Sequence, residues 1–133
     1  NDWTGCQEPA FDFGKCAFGL DGFCQILHGK FDLQFNQSTH VWKYDRYDDL
    51  STFRNAVFTC LDQPPLQELR ELEPNIIERV KFICVIQYLF DLVYRHDLTT
   101  ITAQVIQASL TFKDLFSDSY DRLPTEFTTQ SHM

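Results

Sequence analysis

Pro74-Asn75-Ile76-Ile77-Glu78-Arg79-Val80-Lys81-Phe82-Ile83-Cys84-Val85-Ile86-Gln87-Tyr88-Leu89-Phe90-Asp91-Leu92-Val93-Tyr94-Arg95-His96 is the stretch on which the fold turns. Pro74 suits a first helical position, because its missing N–H would have no intrahelical partner there and its φ is already set. Beyond it Ile76, Ile77, Val80, Ile83, Cys84, Ile86, Leu89, Phe90 and Val93 cover more than one helical stripe, and Phe82, Val85 and Leu92 widen the apolar surface. The pattern predicts a buried central helix over residues 74–96. Gln87 and Asp91 interrupt the run short of the roughly 20 apolar residues that span a bilayer, so no membrane insertion is expected.

Downstream, Thr99 or Thr100 can cap a last helix with Ile101, Val105, Leu110, Phe112, Leu115 and Phe116 as its apolar set. The short connection at Asp97 and Leu98 makes the two helices antiparallel neighbours. Upstream, Asp48 or Asp49 can cap a helix over Leu50–Leu61 whose Phe53, Val57 and Cys60 share a face. Pro64-Pro65 ends it and permits a short helix through Glu71.

Residues 30–47 change period. Phe31, Leu33 and Phe35 alternate with Asp32 and Gln34, and Val41-Trp42-Lys43-Tyr44 follows a polar break, which suggests a short β-hairpin whose apolar face must pack on the helices. Residues 1–29 hold all five glycines and three of the five cysteines, a composition that disfavours long helices and reads as a cross-linked loop region. The expected fold is a mainly α, small disulfide-stapled helical bundle with a loop-rich N-terminal segment. It forms one domain over residues 1–130, with a helical core at 48–123 and a frayed tail at 124–133. Ser131-His132-Met133 has the look of a cloning remnant.

Composition bounds the function. A formal net charge of -8 with no basic cluster repels phosphate backbones, so nucleic acid is not an expected partner. Cys6, Cys16, Cys24, Cys60 and Cys84 contain no Cys-x-x-Cys pair, and with His28, His40, His96 and His132 they miss zinc-ligand spacing. They read instead as disulfide candidates in an oxidising compartment, Cys84 pairing with Cys60 or with the N-terminal region. An odd count leaves one thiol free or links it to another chain, which would give a disulfide-linked oligomer. Asn36-Gln37-Ser38 is a glycosylation sequon, and a start at Asn1 matches what removal of a signal peptide would leave. Together these predict a secreted glycoprotein.

His96-Asp97 resembles the His-Asp pair of secreted calcium-dependent phospholipases, where the imidazole activates water and the carboxylate helps hold calcium. That family has a cysteine close before the pair and a Gly-rich calcium loop upstream. Here Tyr94 and Arg95 precede it and Gly19-Leu20-Asp21-Gly22 is a poor substitute, so the pair is read as helix-end electrostatics. Asp45-Arg46-Tyr47-Asp48-Asp49 lacks the alternating ligands of a calcium loop. No glycine-flanked serine nucleophile or phosphate loop occurs, and no catalytic residue, metal or cofactor is assigned.

The expected function is that of a secreted, non-enzymatic interaction protein acting on another protein: an extracellular ligand, a complex subunit or a host-directed effector. Trp3, Trp42, Tyr44 and Tyr47 are its interface candidates, because Trp and Tyr anchor interfaces. The alternative is a carrier of a lipid or other apolar small molecule in a helical pocket.

Overall fold

The computed structural model describes residues 8–117 and 126–128. Helix α1 (Pro9–Phe18) leads through a π turn (Gly19–Phe23) into the single turn α2 (Cys24–Leu27). Strands β1 (Phe31–Asn36) and β2 (Val41–Arg46) follow, then α3 (Ser51–Leu61), a 3-10 turn (Pro64–Leu66) and α4 (Gln67–Leu72). Helix α5 (Ile76–Phe90) runs into a second 3-10 turn (Asp91–Tyr94), and α6 (Leu98–Leu115) precedes the short strand β3 (Glu126–Thr128). The mainly helical reading therefore holds, and the hairpin forms where the period changes.

Helix α5 is the centre of the helical packing, in contact with both α1 and α6. Its inner face of Ile76, Val80, Cys84, Val85 and Tyr88 is buried against Ala10, Ala17 and Phe18 of α1 and Ala103 and Ile106 of α6. The ring of Phe18 lies edge-on to Tyr88, 4.8 Å between centroids. α6 is capped by Asp97 rather than by Thr99 or Thr100: its Oδ2 accepts the N–H and the hydroxyl of Thr100, each at 2.8 Å. This holds the Asp97 carboxyl below its ordinary range and gives the His-Asp pair a structural use, while His96 stands exposed in the link.

The N-terminal segment corrects its reading. Residues 9–22, expected as cross-linked loop, are helical, and the short helix for which residues 23–27 leave room is formed at Cys24–Leu27. Pro9 starts α1, and two glycines serve the packing instead of breaking it. A Cβ on Gly14 would stand 2.6 Å from the Cβ of Ile83, so only glycine lets α1 approach α5 this closely. Gly22, at φ 114°, turns the chain out of the π turn in a conformation that L side chains rarely adopt.

Disulfide stapling is not seen. Cys16, Cys24, Cys60 and Cys84 are free thiols, the first three exposed and Cys84 buried in the α5 core; Cys6, one of the N-terminal candidates for pairing with Cys84, lies outside the described residues. Burial pushes the Cys84 thiol up, as does the negative charge of Asp21 against the opposing effect of Arg54, so it stays a protonated small hydrophobe.

Three further readings change. α3 buries Arg54, Val57 and Leu61, leaving Phe53 and Cys60 exposed, and Asp49 accepts the Ser51 N–H at 3.0 Å just ahead of the helix. Residues 126–128 of the expected frayed tail pair antiparallel with β2, from Val41 opposite Thr128 to Lys43 opposite Glu126. The hairpin, in register Phe31 with Arg46 to Asn36 with Val41, buries only its base at Phe31 and Tyr44 and projects its tip into solvent.

Candidate functional site

Two regions depart from an ordinary apolar interior and polar surface. The first is a buried polar junction where the π turn, hairpin, α3, α5 and α6 meet. The Asp21 carboxylate, fully buried, accepts three hydrogen bonds: from Arg54 Nη1 at 3.0 Å, from the Tyr88 hydroxyl at 2.6 Å and from the Thr111 hydroxyl at 2.7 Å. The chain of donors continues outward. Gln107 Nε2 donates to Thr111 Oγ1 at 2.9 Å, and the Tyr44 hydroxyl donates to Gln107 Oε1 at 2.8 Å, tying the hairpin to α6. Arg54 also binds Asp114, and Arg46 donates to the carbonyl of Asp21.

Each charge here is paired, which is the condition for tolerating burial. Burial alone would ease the proton off Arg54, but Asp21 and Asp114 more than offset this and raise its pKa. Burial raises the phenol of Tyr88, and the charge and hydrogen bond of Asp21 add to it. Three of the roughly four acceptor positions of the Asp21 carboxylate are thus used by Arg54, Tyr88 and Thr111. The junction floors an open cleft of about 480 Å³ whose rim includes Asp45, Asp48, Asp49, Arg46 and Lys113. Among the described residues no group of three or more His, Cys, Asp or Glu is placed to hold a metal ion.

The second region is the outer side of α5. Phe82 is 55% exposed, Leu89 40%, Phe90 62% and Val93 75%, followed by Tyr94 at 69% and Leu98 at 73%. Phe82, Leu89 and Phe90 lie on α5, Val93 and Tyr94 in its 3-10 turn, and Leu98 at the start of α6. The helix read as buried all round is therefore covered on one side only. Taking roughly 200 Å² for an aromatic side chain and somewhat less for an aliphatic one, the six together expose about 650 Å².

The interface candidates chosen by residue type fare unevenly. Trp3 lies outside the described residues. Tyr44 is buried in the polar junction, where burial raises its pKa, so it belongs to the structure's interior rather than to an interface. Trp42 is half-buried against Phe35, 4.8 Å between ring centroids, and Tyr47 is exposed at the end of the hairpin. Asn36 begins the hairpin turn, exposed, its Oδ1 accepting the N–H groups of Ser38 and Thr39 at 2.9 and 3.1 Å.

No described helix is long and apolar enough to cross a membrane. Comparison with protein-family models, with curated proteins and with solved structures finds no match for this chain.

Proposed function

We propose that this is a secreted, non-enzymatic interaction protein whose binding surface is the outer side of α5. The observation that carries the reading is the exposed row Phe82, Leu89, Phe90, Val93. A helix apolar on all sides is ordinarily covered on all sides, and among the described residues the cover is missing on one. The carrier alternative draws no support from the cleft, whose rim is charged where an apolar ligand needs apolar walls.

Secretion rests on the exposed sequon at the hairpin turn, where Asn36 is reachable from solvent. In that compartment the exposed thiols of Cys16, Cys24 and Cys60 are, among the described residues, the ones through which a second chain would be linked. A protein from its natural source should lose mass on removal of N-linked glycan, and lose the same increment on Asn36→Gln.

The binding test compares the wild-type chain with Phe90→Glu, both immobilised and exposed to the native extracellular fluid. A bound protein present with the wild type and absent with a folded Phe90→Glu chain is the expected result. Identical capture by the two chains would remove the outer side of α5 as the binding surface.

A further inference from the structure

Strand β2 is six residues long and β3 only three. In the sheet order β1-β2-β3 the outer edge of β2 is therefore paired along residues 41–43, and among the described residues it takes no strand along residues 44–46. The open half does not face packed protein. Tyr44, Asp45 and Arg46 line the cleft of about 480 Å³, which leaves room beside them for another backbone. A strand edge offers N–H and C=O groups at fixed spacing to any extended segment, and the residues set directly opposite decide which sequence pairs best.

The register states what this edge prefers. β3 brings Phe127 into register with Trp42 and Glu126 with Lys43. Across an antiparallel ladder an aromatic opposite an aromatic and an acid opposite a base are favourable combinations. Asp45 is in the contrary position, because β1 sets Asp32 directly opposite it and like charges so placed repel. A cation on the other side of Asp45, beyond the end of β3, relieves that repulsion.

We propose that the outer edge of β2 is a strand-accepting site, half occupied by β3 as a displaceable strap, and that its ligand is an extended segment of another protein. That segment carries a basic residue opposite Asp45, an acidic one opposite Lys43 and an aromatic one opposite Trp42. It pairs along the whole six-residue strand and so displaces β3, which is favoured by its tether but pairs with only three residues. The site shares no residue with the outer side of α5 and stands or falls independently of it.

The test titrates the capped peptide Thr-Lys-Thr-Glu-Phe-Thr, whose residues fall opposite Arg46 to Val41 in that order, into the isotopically labelled full chain while amide resonances are followed. Shifts centred on β2 are expected. The full chain carrying both Phe127→Pro and Thr128→Pro should bind the peptide about tenfold more tightly or better, because successive strand N–H groups point to alternate edges and one of the two removed belongs to the β2 ladder. The peptide with its Lys and Glu exchanged, of equal composition and charge, should bind that variant about tenfold more weakly. Phe90→Glu should change neither value. A peptide that leaves the β2 amides unmoved, equal affinity for the wild type and the folded double variant, or indifference to the exchange overturns the inference. So does a wild-type chain that dimerises until both prolines are introduced, since a second copy would then supply the strand. Hydrogen exchange of the wild type gives a reading that needs no variant. The β2 amides paired with β3 should exchange about tenfold faster or more than those of α5 around Cys84, and equal rates would mean that β3 leaves only on global unfolding, which also overturns it.

Discussion

The polar junction around Asp21 and the outer side of α5 invert the usual placement of side chains: a carboxylate and a guanidinium are buried inside while phenylalanines face solvent. The difference between them is one of satisfaction. Asp21 has Arg54, Tyr88 and Thr111 around it, so its burial is complete within one chain. Phe82 and Phe90 are exposed and lack cover among the described residues, which makes that surface the one proposed to take a partner. A filled polar site speaks for architecture, and an unfilled apolar one for association.

Breaking the junction should give the largest effect. Arg54→Ala leaves the buried Asp21 charge without its counter-ion, and loss of one partner of a buried pair costs about 3–5 kcal/mol, measurable by urea denaturation. Combining Arg54→Ala with Asp21→Asn should cost less than the sum of the two single changes, since the second removes the stranded charge. Additive losses would show that the two residues act independently.

A smaller loss is expected where α1 meets α5. Gly14→Ala forces its Cβ onto Ile83, an overpacking worth roughly 1–3 kcal/mol. A neutral result would mean that α1 is free to slide, and would loosen the scaffold that presents Asp21.

Alkali sharpens the contrast by titration. The folded state keeps the phenolic protons of Tyr88 and Tyr44, which the unfolded chain releases from about pH 10. Their contribution is fully present below that pH and falls as the pH climbs toward their raised folded values. Part of the rise in tyrosinate absorbance should therefore coincide with loss of near-ultraviolet circular dichroism instead of preceding it.

The least effect on stability belongs to the apolar side. Phe90→Ser should change the unfolding free energy of the monomer by no more than about 0.5 kcal/mol, as for surface substitutions generally, while reducing the binding of an apolar fluorescent probe. A loss of several kcal/mol would place Phe90 in the fold and not in an interface.

Much of the frame could be read along the chain. The run from Ile76, the connection at Asp97 and the alternation of Phe31, Leu33 and Phe35 are local patterns, and each became the expected element. α1 was hidden because glycine count penalises a helix, whereas Gly14 contributes to one by what it lets α5 approach. Arg54 was passed over because a lone arginine reads as solvated until Asp21, 33 residues earlier, is brought beside it. Tyr44 and Phe90 exchanged places for a related reason: residue type favours tyrosine at an interface and phenylalanine in a core, and only packing shows which is covered.

By itself the sequence determined what depends on near neighbours: a helical molecule built on α5, a hairpin at residues 30–47, and a strongly acidic chain unsuited to phosphate backbones. The tertiary structure decided what depends on distance in space. Burial, charge pairing and exposure are sums over neighbours that the chain order does not give. So the closing of the Asp21 junction, the keeping of four thiols apart and the uncovered side of α5 appear only once the helices are packed.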